Sequence, residues 1–183
     1  AEAPPRFALA GLSMGGYVAL EIMRRAPERV SRLALLDTKA DRDPPEVTAG
    51  RLQAIAEIEA GRLAEHIESR LPVLLGPAAQ NDPELREVTR AMALAVGAER
   101  YLAQQRAIMD RPDSLGDLAA IACPTLVLCG RDDALTPLDR HAAMAERITN
   151  SRLAVVEEAG HLTPIEQPVA VTALLRDWLL YEH

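Results

Sequence analysis

Four stretches of the chain are almost continuously apolar. They are RFALAGL from Arg6 to Leu12, VSRLALLD from Val30 to Asp37, PTLVLCG from Pro124 to Gly130 and RLAVVE from Arg152 to Glu157. Short runs of this kind suit parallel strands that are covered on both faces. The segments between them follow a helical period instead. Gly15–Ala26 is amphipathic and Pro27 stops it. Leu138–Ile148 is opened by Thr136-Pro137, and Pro168–Leu180 carries Val169, Val171, Leu174, Leu175, Trp178 and Leu179 as its apolar face. Strand–helix–strand alternation predicts an α/β fold, with a mostly parallel sheet, right-handed crossovers and flanking helices.

The region from Asp41 to Ala120 breaks this rhythm, because it holds no strand-like run. It reads as four short helices, near Pro45–Ala60, Arg62–Leu71, Pro83–Val96 and Glu99–Met109. Pro44-Pro45, Gly76-Pro77, Asp82-Pro83 and Arg111-Pro112 punctuate them. The pattern therefore predicts residues 1–40 and 121–183 as the α/β core and residues 41–120 as a helical insertion, a candidate lid. No internal repeat or low-complexity segment is visible.

Composition narrows the classes. The 183 residues fit one domain, and 49% of them are hydrophobic, enough for a sizeable core. A net charge of −7 argues against nucleic acid or an anionic membrane as the main partner. No apolar stretch is long enough to span a membrane. The two cysteines, Cys123 and Cys129, have no zinc-site spacing and read as free buried thiols, consistent with a reducing cytoplasm.

Chemistry enters at Gly11-Leu12-Ser13-Met14-Gly15, a G-x-S-x-G pattern between a strand and an amphipathic helix. Such a serine sits on a strained strand-to-helix turn, with glycine expected two residues before and two after to avoid a collision. The turn lifts the hydroxyl clear of the sheet and aims a helix N-terminus at the reacting centre. The backbone N–H of Met14 is then a candidate oxyanion donor. Alone the pattern is weak; its setting between strand and helix gives it weight.

A serine nucleophile needs a base, and the base an orienting acid. The third strand is followed by Arg131-Asp132-Asp133-Ala134-Leu135-Thr136-Pro137, and the fourth by Glu158-Ala159-Gly160-His161. Strand carboxyl ends are where sites form in open α/β sheets. His161 alone among four histidines stands at one. His66 falls in the insertion, His141 in a helix and His183 at the terminus, and these three read as structural or exposed. Asp37, at the end of the second strand, and Asp132 remain rivals for the acid, with Asp132 read as a support for the loop.

Three blocks resemble the α/β-hydrolase superfamily in the order that family uses. GLSMGGYVALEIMRRAPERVSRLALLDT is similar to a nucleophile elbow with its helix and next strand, CPTLVLCGRDDALTP to an acid loop, and AGHLTPIEQP to a histidine loop. The resemblance implies Ser13 as nucleophile, Asp133 as acid, His161 as base and the Met14 N–H in the oxyanion hole. It also implies a lid after the second strand and no cofactor or metal. The family carries more sheet before the elbow, so the resemblance implies a chain without its N-terminal strands, about 50–90 residues. No HGGG-like segment for a second oxyanion amide occurs.

The implied activity is cleavage of small carboxylic esters or lactones through an acyl-enzyme, most similar to enol-lactonases. A carbon–carbon bond hydrolase, a binding protein and an inert segment are the alternatives. The implied partner is a small-molecule ester or lactone, without nucleic acid or membrane. Leu63, Leu74, Met92, Ile108 and Met109 are candidates to line the acyl pocket.

Overall fold

In the computed structural model, which describes residues 4–181, four strands form one parallel sheet in the order β1-β2-β3-β4. They are β1 (Phe7–Leu12), β2 (Val30–Leu36), β3 (Thr125–Gly130) and β4 (Ser151–Val156). Each apolar run became a strand within a residue of its expected ends. β2 explains why its run does not alternate. Leu33 and Leu35 point into one core, with Ala19, Leu20, Met23 and Met144, while Ala34 and Leu36 point into another, with Val171 and Trp178. Helices α1 (Met14–Arg25) and α6 (Leu138–Arg147) therefore cover one face and α8 (Pro168–Leu180) the other. Leu33, Leu35, Leu126 and Leu128 are essentially inaccessible, and burying each stabilises the fold by about 1.5–3 kcal/mol.

The middle region is helical, as its pattern predicts: α2 (Pro45–Glu59), α3 (Leu63–Leu74), α4 (Pro83–Val96) and α5 (Ala98–Asp110). Asp82 caps α4 by accepting from the Glu84 and Leu85 amides. The sequence pattern ends α3 at Leu71, before Pro72, yet the helix runs on to Leu74. Proline removes only the bond to the Glu68 carbonyl, which lies on an exposed turn. Gln80 then holds the end of the helix by donating to the Pro72 and Leu75 carbonyls.

The two ends of this helical segment are pinned together by charge. Asp43, almost wholly buried, pairs with Lys39, Arg51 and Arg111. Arg111 grips both Asp43 oxygens, donates to the Ile108 and Asp41 carbonyls and lies over the Tyr17 ring at 4.2 Å. Burial works against the Asp43 charge, but the guanidinium hydrogen bonds outweigh it and hold the carboxyl well below its usual range.

At the carboxyl ends of the strands, three residues with side chains hold a left-handed conformation, Ser13, Asp37 and Glu158, and the first two bear on the site. Ser13 follows β1 with φ 51°, a left-handed conformation uncommon for a residue with a side chain. Its amide donates to the Leu36 carbonyl, and its carbonyl accepts from the Gly16 amide and the Thr38 hydroxyl. A Cβ at Gly11 would overlap the Gly15 carbonyl, and one at Gly16 would overlap the Thr38 side chain. A Cβ at Gly15 meets nothing within 4 Å. The expected need for glycine two residues after the serine is thus corrected: the crowded positions are 11 and 16, because Gly15 faces outward on the first turn of α1.

The second constrained turn is Asp37, φ 45°, just past β2. Its carboxylate is buried and accepts from the Gly130 amide, the Thr163 amide and the Thr163 hydroxyl. It thereby ties β2 to the end of β3 and to the loop after β4. Burial, reinforced by the nearby Asp133 charge, pushes the Asp37 carboxyl up to about 7 against the pull of Thr163.

Two predictions follow from these turns. Gly16→Ala and Gly11→Ala are expected to lower stability by about 1–3 kcal/mol through overpacking. Gly15→Ala is expected to hold or raise it by about 0.5–1 kcal/mol, as alanine does in a helix; urea unfolding of the three variants checks this. For Asp37, a folded pKa raised above the unfolded 3.8 means that the native state holds the extra proton. Its contribution is then full below about pH 4 and is lost as pH rises towards 7. The Tm of Asp37→Asn relative to the parent is expected to rise from pH 4 to pH 8, and a flat difference would contradict the assignment.

Candidate active site

Three loops, after β1, β3 and β4 of the one parallel sheet, bring Ser13, Asp133 and His161 into one line. The Ser13 Oγ lies 2.8 Å from His161 Nε2, and His161 Nδ1 lies 2.9 Å from Asp133 Oδ2. A carboxylate only accepts, so Nδ1 carries the proton towards Asp133, and Nε2 is left to accept from the serine hydroxyl. Asp133 and His161 are buried while Ser13 is half-buried.

The Asp133 carboxylate is firmly held. Asp133 Oδ1 accepts from the Leu135 and Thr136 amides at 2.8 and 2.9 Å, and Oδ2 accepts from the Thr136 hydroxyl at 2.7 Å. Burial disfavours its charge, but the hydrogen bonds from His161 and Thr136 win and hold its carboxyl below the ordinary value. It is therefore charged at neutral pH.

The rivals lie elsewhere. The Asp37 carboxylate serves Gly130 and Thr163, and not His161. Asp132 is exposed, and its part in the loop is made by its backbone amide, which donates to the Ala159 carbonyl. His141 is buried and structural: its Nε2 accepts from the Thr38 amide and its Nδ1 donates to the Pro137 carbonyl, while burial lowers its pKa. His183 lies outside the described residues. His66, read from the sequence as structural or exposed, is buried against Glu57 and Tyr101 and also lines the cavity in front of Ser13. Met14 opens α1, so its amide has no acceptor within the helix.

The histidine loop is held by a residue to which sequence reasoning gave no role. Glu166, at the end of the short helix α7 (Thr163–Glu166), accepts from the Gly76, Gly160 and Leu162 amides. The His161 amide donates to the Leu74 carbonyl. The backbones of Gly76, Gly130 and Gly160 pass so closely that a Cβ on any of them would overlap a neighbour. The signal was present as Thr163-Pro164 followed by an acid, a helix start directly after the histidine.

A cavity of about 560 Å³ opens on Ser13 and His161, walled on the far side by α2, α3 and α5. Of the five apolar residues expected to line it, Leu74 and Ile108 do. Leu63, Met92 and Met109 do not, and Met92 is exposed on α4. Polar side chains reach the wall as well, from Lys39, Arg51, Arg70, Tyr101 and Gln105. Both cysteines are free, and burial pushes the Cys129 thiol up to about 12, so it is inert. Among the described residues, no helix is long and apolar enough to cross a membrane.

Known structures share this fold. An esterase from Thermogutta terrifontis, solved with malate bound, superposes with a TM-score of 0.91 at 39% identity, covering 96% of this chain and 65% of its own. The enol-lactonase of Burkholderia xenovorans LB400 gives 0.87 at 25% identity, covering 97% and 66%. The pimeloyl-(acyl-carrier protein) methyl ester esterase of Neisseria meningitidis serogroup B is 30% identical over 174 residues, 92% of this chain and 67% of the relative. The chain thus spans about two thirds of the length of the relatives it matches. The model of the alpha/beta hydrolase family matches residues 1–174; on that match, and on the parallel sheet with its strained serine turn, the chain belongs to the alpha/beta hydrolase family.

Proposed function

We propose that the chain carries the catalytic machinery of a serine hydrolase for carboxylic esters or lactones of small molecules. The observation that supports it most is the unbroken hydrogen-bonded line from Ser13 Oγ through the His161 ring to Asp133. In this reading His161 Nε2 takes the Ser13 proton as Oγ attacks the carbonyl carbon. Asp133 keeps the imidazole in the right tautomer and stabilises its charged form. The developing oxyanion is received by the Met14 N–H at the positive end of α1. His161 then gives the proton to the leaving alkoxide, and an acyl-serine remains. Water, deprotonated by the same histidine, cleaves that ester and restores the serine.

Helices α2–α5, within residues 41–120, act as the lid over this centre, with α2, α3 and α5 forming the cavity wall opposite the serine. The free thiols fit a reducing cytoplasm as the working compartment. Ester and lactone cleavage is the chemistry in the names of the esterases and the enol-lactonase that the chain resembles.

A fluorophosphonate probe is expected to modify Ser13, with the adduct found on the Ser13 peptide by mass spectrometry and absent in Ser13→Ala. A folded chain that takes up no probe at Ser13 would contradict the proposal. Asp133→Asn is expected to retain the fold yet lower kcat on a short nitrophenyl ester by about 10,000-fold, the cost of a wrong imidazole tautomer. A loss under tenfold would transfer the acid's role to another residue, with Asp37 the next to substitute.

A further inference from the structure

The wall of the catalytic cavity is more cationic than an uncharged ester needs. Its charged residues are Lys39, Arg51 and Arg70 against one carboxylate, Asp43, in a protein whose net charge is −7. Lys39 and Arg51 are already paired with Asp43. Arg70, on α3, is different. It is half-buried, lines the cavity, and takes part in none of the side-chain hydrogen bonds or ion pairs among the described residues. A guanidinium drawn out of bulk water without an anion is costly, and its planar fork matches a carboxylate.

The Gln105 side chain on the same wall offers donors too. Gln105 accepts from Arg51 through its Oε1 at 2.8 Å, which leaves its amide N–H groups to donate. The Tyr101 hydroxyl lies 3.2 Å from His66 Nε2, and the other ring nitrogen of His66 faces the Glu57 carboxylate at 3.4 Å. Burial raises the Tyr101 pKa, and the charges of Arg70 and Arg51 both pull it back, so the two guanidinium groups act on one part of the wall.

We infer that the substrate is an ester or lactone bearing a second, ionised group, a carboxylate, and that Arg70 receives it with Gln105 and Arg51 alongside. The inference rests on the hydrolase reading above and names its substrate class. Arg70 is then a specificity-determining residue: it binds the remote carboxylate and takes no part in proton transfer.

The test compares two activated esters that differ only at the far end. They are the mono-4-nitrophenyl ester of glutaric acid and 4-nitrophenyl pentanoate, in which a methyl group replaces the carboxylate. The parent protein is expected to favour the charged ester in kcat/KM by about tenfold or more. In Arg70→Gln that preference is expected to fall about 10- to 100-fold, chiefly through KM, and in Arg70→Lys by less. Raised ionic strength is expected to erode it in the parent. A parent that favours the neutral ester, or an Arg70→Gln protein with an unaltered preference, would overturn the inference.

A second measurement needs no turnover: calorimetric binding of glutarate to Ser13→Ala, with and without Arg70→Gln. Binding that is lost with Arg70 supports the site, and no binding to Ser13→Ala overturns it. Glutarate binding together with an unreactive Ser13 would sink the hydrolase reading alone and leave the anion site standing.

Discussion

Ser13 holds a backbone conformation that a residue with a side chain adopts at a cost, and the site is built around that one turn. The strain persists because the surroundings leave no alternative. The Ser13 amide continues the sheet to Leu36, and the Ser13 carbonyl is shared by Gly16 and Thr38. Thr38 is itself held through its amide by the buried His141. β1, β2 and α6 thus converge on one residue, and the serine hydroxyl projects from the sheet edge without a rotation of its own backbone. A strained φ held by its neighbours is a recurring feature of functional turns.

The other two members of the line depend on the parallel sheet in a different way. Neighbouring parallel strands deliver their carboxyl ends to the same edge, so the loops after β1, β3 and β4 meet there by topology alone. What topology leaves loose, buried polar side chains fix. Asp37 joins β2 to Gly130 and Thr163, and Glu166 joins the histidine loop to Gly76 at the end of the α3 segment. The helical region is therefore tied to the catalytic edge by its backbone, while the ion cluster around Asp43 closes its base. Its role as cavity wall and its attachment to the histidine loop are two results of one packing arrangement.

The sheet was legible because parallel strands buried on both faces leave continuous apolar runs, and β2 shows why: its alternate residues enter two separate cores. The three residues in line at the site were legible for a related reason. Each stands in a short motif directly past a strand, and the family resemblance supplied their roles. Properties set by tertiary geometry were hidden. Gly15 and Gly16 are neighbours in sequence, yet only the second faces Thr38. Pro72 looks like a helix stop, but the lost bond falls on an exposed turn. Arg70 and Gln105 belong to no motif, and only the way in which α3 and α5 sit above the sheet places them in the wall of the cavity before the serine.

A crystal structure of the protein after fluorophosphonate treatment would show whether Ser13, His161 and Asp133 form one working unit with the Met14 amide facing the reacting centre. Phosphorus is expected on Ser13 Oγ, with a phosphoryl oxygen within hydrogen-bond distance of the Met14 N–H and His161 still paired with Asp133. A phosphoryl oxygen turned away from Met14, or a histidine released from Asp133 in an otherwise folded adduct, would contradict it.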